Sequence, residues 1–221
     1  PTTSGSGSEV TDFAILTHEN VKHPLVDERL RPDVAILDAD LLGELPAGLI
    51  ADTGFDVLTH ALEAYVATDA GTITDSFARE AFCTAYALLP ASYAGRKEVR
   101  LKVHEAATMA GLAFTQAGLG LCHAMAHTLG GMFHVPHGRL NAILLPAVIQ
   151  RNAHAAMDKY ARLARAAGLG GSADAIALRN LKNGLIRLRR ELNLPPTLQQ
   201  AGIDPRQLRF DTEKIVAATL L

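Results

Sequence analysis

GLGLCHAMAHTLGGMFHVPHGRLNAILLP, residues 118–146, places four of the chain's nine histidines, at 123, 127, 134 and 137, in an apolar passage. Residues 121–131 read as a helix closed by Gly130-Gly131, and HGRLNAILLPAVIQRNA (137–153) as another. His123 and His127 are four apart, which puts both rings on one helical face. His137 follows Pro136 and precedes Gly138, where the chain can double back. The same spacing recurs upstream, with Asp56 and His60 inside IADTGFDVLTHALEAYVA (50–67). Three or four nitrogen and oxygen ligands from separate helices, with one position open, form the usual layout of a catalytic metal site. A mixed imidazole and carboxylate set suits Fe(II) or Zn(II), and nothing points to a closed thiolate site.

The bland alternative is that these are ordinary polar residues. An Asp-x3-His pair is common on helix surfaces, and a single histidine is more often hydrogen-bonded than ligating. Against that, Asp56 and His60 sit among Phe55, Val57, Leu58, Ala61 and Leu62, where an unpaired charge is costly. Spacing does not choose among the histidines: the helical rule pairs His123 with His127, and His134, three before His137, competes. Cys122 borders the cluster, but its apolar surroundings favour a buried, inert thiol.

Outward from this passage the chain is helical. Helices are expected over 50–67, with Phe55, Leu58, Leu62 and Tyr65 at helical spacing, over 75–94 broken at Pro90, and over 97–117. Further helices are expected over 155–168, over 172–192 with Ser172 as N-cap, and from Asp211 onward. Before residue 44 the texture differs: β-prone runs at 12–17 and 32–38 flank the polar turn HENVKH, and Val34–Leu37 suits a short buried strand. Residues 1–8, PTTSGSGS, read either as a flexible linker or as a backbone-rich phosphate loop. The expected class is mainly α, with 1–43 as a β-containing lead-in and 44–221 as a helical domain. Both ends read as cut, since the chain opens on Pro1 and closes on AATLL within a helical pattern.

The totals exclude several classes. A net charge of −2 without a basic block argues against nucleic acid and anionic membrane surfaces as partners. The longest apolar runs, such as AILLPAVI (142–149), fall far short of the roughly 20 residues a membrane span needs. With two cysteines, Cys83 and Cys122, no disulfide framework is available, so a reducing cytoplasm is expected.

TGFDVLTHALEAY (53–65) and the 118–146 passage, with PTTSGSGSEVT (1–11), KHPLVDERLRPDVAILDADLL (22–42) and LPPTL (194–198), resemble the iron-dependent (group III) alcohol dehydrogenases. The resemblance covers essentially the whole chain and is nearest to small-aldehyde reductases of the lactaldehyde, propanediol or ethanolamine utilisation type. It implies the helical metal-binding domain of the dehydroquinate-synthase-like fold, after a remnant of an N-terminal dinucleotide domain whose GGGS phosphate motif is not in this sequence. It implies metal ligands at Asp56, His60, His123 and His137, with His127 beside the nicotinamide as a catalytic proton group and His134 without a role. It also implies cofactor contacts at Thr2, Thr3, Ser6 and Lys22, so residues 1–8 are expected to be a cofactor loop. The implied reaction is hydride transfer between NAD(H) or NADP(H) and a small aldehyde or alcohol, aided by Fe(II) or Zn(II). An apolar wall of Phe55, Leu119 and Phe133 is expected beside the substrate. A homodimer or larger assembly, in the cytoplasm or a bacterial microcompartment, fits this reading. The rivals are glycerol-dehydrogenase-like or dehydroquinate-synthase-like enzymes and a non-catalytic helical module.

Overall fold

The computed structural model of the chain describes residues 1–19 and 21–220, with the side chains of residues 21 and 22 left out; the expected cofactor contact at Lys22 therefore lies outside the described residues. A hairpin comes first. Strand β1 (Phe13–His18) pairs antiparallel with β2 (Val21–Val26), in the register Phe13↔Val26 to His18↔Val21. Among the described residues eight α-helices follow: α1 (Ala47–Val66), α2 (Thr72–Tyr93), α3 (Arg100–Ala117), α4 (Leu121–Phe133), α5 (His137–Ala166), α6 (Asp174–Glu191), α7 (Pro205–Phe210) and α8 (Thr212–Thr219). The mainly helical class with a short β lead-in is as expected. No helix among the described residues is long and apolar enough to cross a membrane.

Helix α1 is the axis of the core. It is buried from Ile50 to Tyr65 except at Thr53, and it packs against α2, α3, α4 and α5. The stripe of Phe55, Leu58 and Leu62 is fully enclosed, which is how a helix apolar on most faces removes that surface from water. Because α1 is buried over residues 50–65 on nearly every side, Asp56, His60 and Glu63 are carried into the interior with it. Helix α3 presents Ala106, Ala107, Ala110, Gly111 and Ala113, and such small side chains let the N-terminal loop lie directly on the helix. A Cβ on Gly111 would stand 2.9 Å from the carbonyl oxygen of Gly7. Ser4 Oγ meets Nδ1 of the fully buried His104 at 2.9 Å, and Thr108 bonds Glu9, so residues 1–11 are seated on α3 rather than free as a linker.

Several boundaries differ from the sequence expectations. The 32–38 run is not a strand. Val34 and Ile36 are 76% and 74% exposed, and the hairpin forms instead from 13–18 with 21–26, taking up part of the expected HENVKH turn. A strand needs a hydrogen-bonding neighbour, and among the described residues none adjoins 32–38. Helix α2 runs through Pro90 to Tyr93; with the proline in its last turn, the disruption is confined to the helix end. Residues 137–166 form one helix, kinked where Ala156 leaves helical geometry at φ −132°. Ser172 does not cap α6, whose N-cap is Ala173; Asp211 is the N-cap of the last helix as expected, without a side-chain hydrogen bond, whereas Asp204 caps α7 by accepting from the Arg206 N–H.

The Gly130-Gly131 pair does not close α4. The helix continues through both glycines, and its C-cap is His134, left-handed at φ 56° and ψ 29°. Histidine tolerates that region poorly beside glycine, though better than branched residues do. The reversal that brings His137 back therefore lies at His134-Val135-Pro136. His134 acts through its backbone, with its side chain exposed.

Candidate metal centre

Helices α1, α4 and α5 each deliver part of the site. Asp56 Oδ1 lies 3.5 Å from His123 Nε2 and 3.5 Å from His137 Nε2. The ligand atoms of Asp56, His123 and His137 all fall within 4.8 Å of one another. His60 stands at the edge of this trio. Its Nε2 is 4.0 Å from Asp56 Oδ1, and its ring is stacked between His123, at 4.4 Å between centroids, and Phe114, at 4.5 Å. His127 is one turn along α4 from His123, and its ring stacks on His137 at 4.5 Å. The i, i+4 pair on α4 is thus divided: His123 faces the carboxylate, and His127 faces outward beside His137.

The electrostatics match a place for a cation. Burial favours the neutral form of Asp56, but the His60, His123 and His137 rings outweigh it and hold the carboxyl well below the usual range. Burial also works against a charge on His123, yet its hydrogen bonds to Asp56 and Glu63 raise the ring to about 9. His60 goes the other way: desolvation dominates the pull of Asp56 and lowers it to about 4. One buried carboxylate, Asp56, facing clustered imidazoles supplies the hard oxygen and borderline nitrogen donors that Fe(II) and Zn(II) accept, so the residues present fit a divalent metal.

Two buried neighbours escaped the sequence reading. Glu63, 3% exposed, takes His123 Nδ1 at 2.7 Å and the backbone N–H groups of Gly120, Cys122 and His123 at 3.1, 2.7 and 3.3 Å. Asn141 donates from Nδ2 to Asp56 Oδ1 at 2.8 Å, with the same amide 3.4 Å from His123 Nε2. Both were marked by spacing. Glu63 is seven residues after Asp56 and Asn141 four after His137, each on the helical face of the candidate ligand before it. Cys122 is fully buried against Asn141 and its thiol is pushed well up by burial, in keeping with an inert group.

A cavity of about 730 Å³ lies on the far side of His127 from the trio, lined by His127, Thr128 and Met132 of α4, the hairpin, α7 and α8. The expected apolar wall does not form there. Phe55 is fully buried in the core, and Leu119 and Phe133 are half-buried against that core; Ile15, Ala124 and Met132 provide the apolar lining instead. Of the expected cofactor contacts, Thr2 and Ser6 are exposed, Thr3 is half-buried, and none of the three lines this cavity.

A buried carboxylate–imidazole cluster at the meeting of three helices, with a neighbouring histidine on the wall of a cavity, is the layout of a candidate metal centre in a helical domain. The chain belongs to the iron-containing alcohol dehydrogenase family: residues 50–220 match the model of the Fe-containing alcohol dehydrogenase family, C-terminal, and residues 1–39 that of iron-containing alcohol dehydrogenase. It is 41% identical over 217 residues to an NADPH-dependent butanol dehydrogenase of Clostridium saccharobutylicum, covering 97% of this chain and 56% of the relative. It is 45% identical over 203 residues to the 1-propanol dehydrogenase PduQ of Citrobacter freundii, covering 88% and 55%. The solved iron-containing alcohol dehydrogenase of Thermococcus thioreducens superposes with a TM-score of 0.90 at 38% identity, covering 99% of this chain and 56% of that one. The chain therefore spans about half the length of the curated relatives it matches.

Proposed function

We propose that the protein bearing this chain is a metal-dependent alcohol dehydrogenase and aldehyde reductase, exchanging hydride between a nicotinamide dinucleotide, NAD(H) or NADP(H), and a small aliphatic aldehyde. The observation that carries the reading is the convergence of Asp56, His123 and His137 within 4.8 Å of one another, next to His127 on the cavity wall. These three hold the metal, and His60, stacked on His123, completes the donor set. The relatives' names, butanol and 1-propanol dehydrogenases, support short alcohols as substrates. The family descriptions support iron as the metal. The two matched segments, 1–39 and 50–220, support a division near residue 43 between a dinucleotide-domain portion and the helical domain.

A divalent cation bound here supplies Lewis-acid polarisation of the carbonyl oxygen. The nicotinamide supplies the hydride. The chain's own residues orient, exclude water and manage the proton. Asp56, His123 and His137 would hold the cation next to His127, whose ring stacks on His137 and lines the cavity. Ile15, Ala124 and Met132 give the cavity an apolar lining that favours short aliphatic chains. His127, on the cavity wall, gives a proton to the product alcohol oxygen in reduction and takes it in oxidation, a task suited to imidazole at neutral pH. Thr2, Thr3 and Ser6, held on α3 through Ser4 and His104, serve the dinucleotide from the neighbouring loop.

The full-length protein, purified anaerobically with iron, is expected to consume NADH or NADPH with propionaldehyde, followed at the reduced-nicotinamide absorbance band. His123→Ala is expected to lose both metal and turnover, whereas His127→Ala keeps the metal and loses most turnover. Equal metal loss in the two variants would overturn the division of roles, and full turnover in His123→Ala would overturn the site.

A further inference from the structure

Glu63 is the most heavily bonded side chain of the site, yet it stands on the far side of His123 from Asp56. Its carboxylate accepts from His123 Nδ1 at 2.7 Å and from three backbone N–H groups, those of Gly120, Cys122 and His123. Gly120 is the N-cap of α4 and offers no side-chain cap of its own, so Glu63, reaching across from α1, supplies the acceptor that the first turn of α4 lacks. A Cβ on Gly120 would meet Glu63 Oε1 at 2.9 Å, so the glycine leaves room for this approach.

We infer that Glu63 is a positioning residue that fixes His123 as the Nδ1–H tautomer and aims its Nε2 lone pair at the metal; this rests on the reading of His123 as a ligand. An acceptor-only carboxylate at Nδ1 demands a proton there. On the opposite edge of the ring, Asn141 Nδ2 lies 3.4 Å from Nε2 and Asp56 Oδ1 lies 3.5 Å from it, so Nε2 is the nitrogen that faces the other ligands. The same carboxylate caps α4, and it therefore sets both the ring's orientation about its bonds and the position of the helix that carries it. Carboxylate–histidine–metal relays of this kind commonly alter metal affinity by about 10–100-fold when the outer carboxylate is lost.

Glu63→Gln separates these duties. The Gln side chain has the same shape, and its oxygen can still cap α4, but its amide N–H turned to Nδ1 favours the Nε2–H tautomer, whose metal-facing nitrogen has no lone pair. With Zn(II) as a diamagnetic probe on the full-length protein, a chelator competition is expected to give a 10–100-fold weaker affinity for Glu63→Gln, with Glu63→Asp recovering part of it. Histidine ¹⁵N spectra of the Zn(II)-loaded wild type are expected to show His123 protonated at Nδ1 and metal-bound at Nε2. Wild-type affinity in Glu63→Gln, while His123→Ala loses Zn(II), would overturn the inference and leave the metal site standing. Undiminished Zn(II) binding by His123→Ala would instead remove the ligand reading beneath it. Should Glu63→Gln fail to fold, the wild-type spectrum decides alone: metal at Nδ1 of His123 overturns the inference.

Discussion

Asp56 is the residue on which the site turns. One oxygen, Oδ1, faces His60, His123 and His137 and also receives the Asn141 amide. A buried carboxylate so placed is stable only while cations and donors surround it. Asn141→Asp replaces that donor with a second buried carboxylate some 2.8 Å from the first. In the metal-free protein this variant is expected to lose on the order of 3 kcal/mol, from like-charge repulsion and a lost hydrogen bond. Added Fe(II) or Zn(II) offsets the repulsion, so the urea midpoint of the variant should rise with metal by more than that of wild type. An identical metal response in both proteins would count against Asn141 bordering the cation. At this scale the sequence was legible where chemistry repeats a pattern. Asp56 and His60, and His123 and His127, announce themselves by spacing, but dividing ligand from proton group needed the family resemblance. Glu63 and Asn141 are polar residues in apolar helices, as Asp56 is.

Among elements, the crossing of α1 with α5 sets the distance from Asp56 to His137. The first turn of α5 lies against the backbone of α1: a Cβ on Gly138 would come within 1.8 Å of the Asp52 carbonyl oxygen. Beside this contact Arg139 Nε and Nη2 donate to the two oxygens of Asp52 at 3.1 and 2.9 Å, a bidentate pair that fixes the rotation of one helix on the other. Asp52 and Asp56 are one turn apart on α1, and Arg139 and His137 share the first turn of α5, so the clamp and the proposed ligands move together. Gly138→Ala is expected to cost about 3 kcal/mol or more, since backbone rather than a flexible side chain must give way, and to weaken metal binding as His137 is displaced. Gly48→Ala, in the same α1 helix but with nothing within 4 Å of its added Cβ, is expected to be neutral or to stabilise by up to about 1 kcal/mol. Thermal melts and metal titrations of the pair check the contrast; equal behaviour would mean the α1–α5 contact does not position the ligand. The helices themselves were legible from apolar periodicity. Their punctuation was less so, because Pro90 falls in a last turn that tolerates it and Gly130-Gly131 remains inside a packed helix, while an exposed histidine makes the turn. The 32–38 run has strand composition but no strand partner among the described residues, and composition alone cannot supply one.

For the molecule as a whole, the site imposes a pH dependence that the metal-free protein should reveal. His123 is raised to about 9, because its bonds to Asp56 and Glu63 outweigh burial. Its contribution to stability is therefore complete below the unfolded value of about 6.5 and is lost as pH rises through 9. His60 is lowered to about 4, chiefly by desolvation, so the unfolded chain takes up its proton first. Stability is then lost as pH falls from about 6.5 toward 4. Each displacement is about 2.5 pH units, which at about 1.36 kcal/mol per unit corresponds to roughly 3 kcal/mol at the far end of its window. The chelator-treated full-length protein is thus expected to have its highest urea midpoint near pH 6.5, declining on both sides. A bound cation changes the alkaline arm. It takes the place of the proton on the imidazole between the two carboxylates, so binding releases a proton in the window where His123 is charged, and metal affinity increases with pH up to about 9. The loaded protein should accordingly hold its midpoint between pH 6.5 and 9 while the metal-free protein declines. A metal-free midpoint that stays level over that same interval would mean that His123 carries no charge between Asp56 and Glu63, and that proton and metal do not compete for this site.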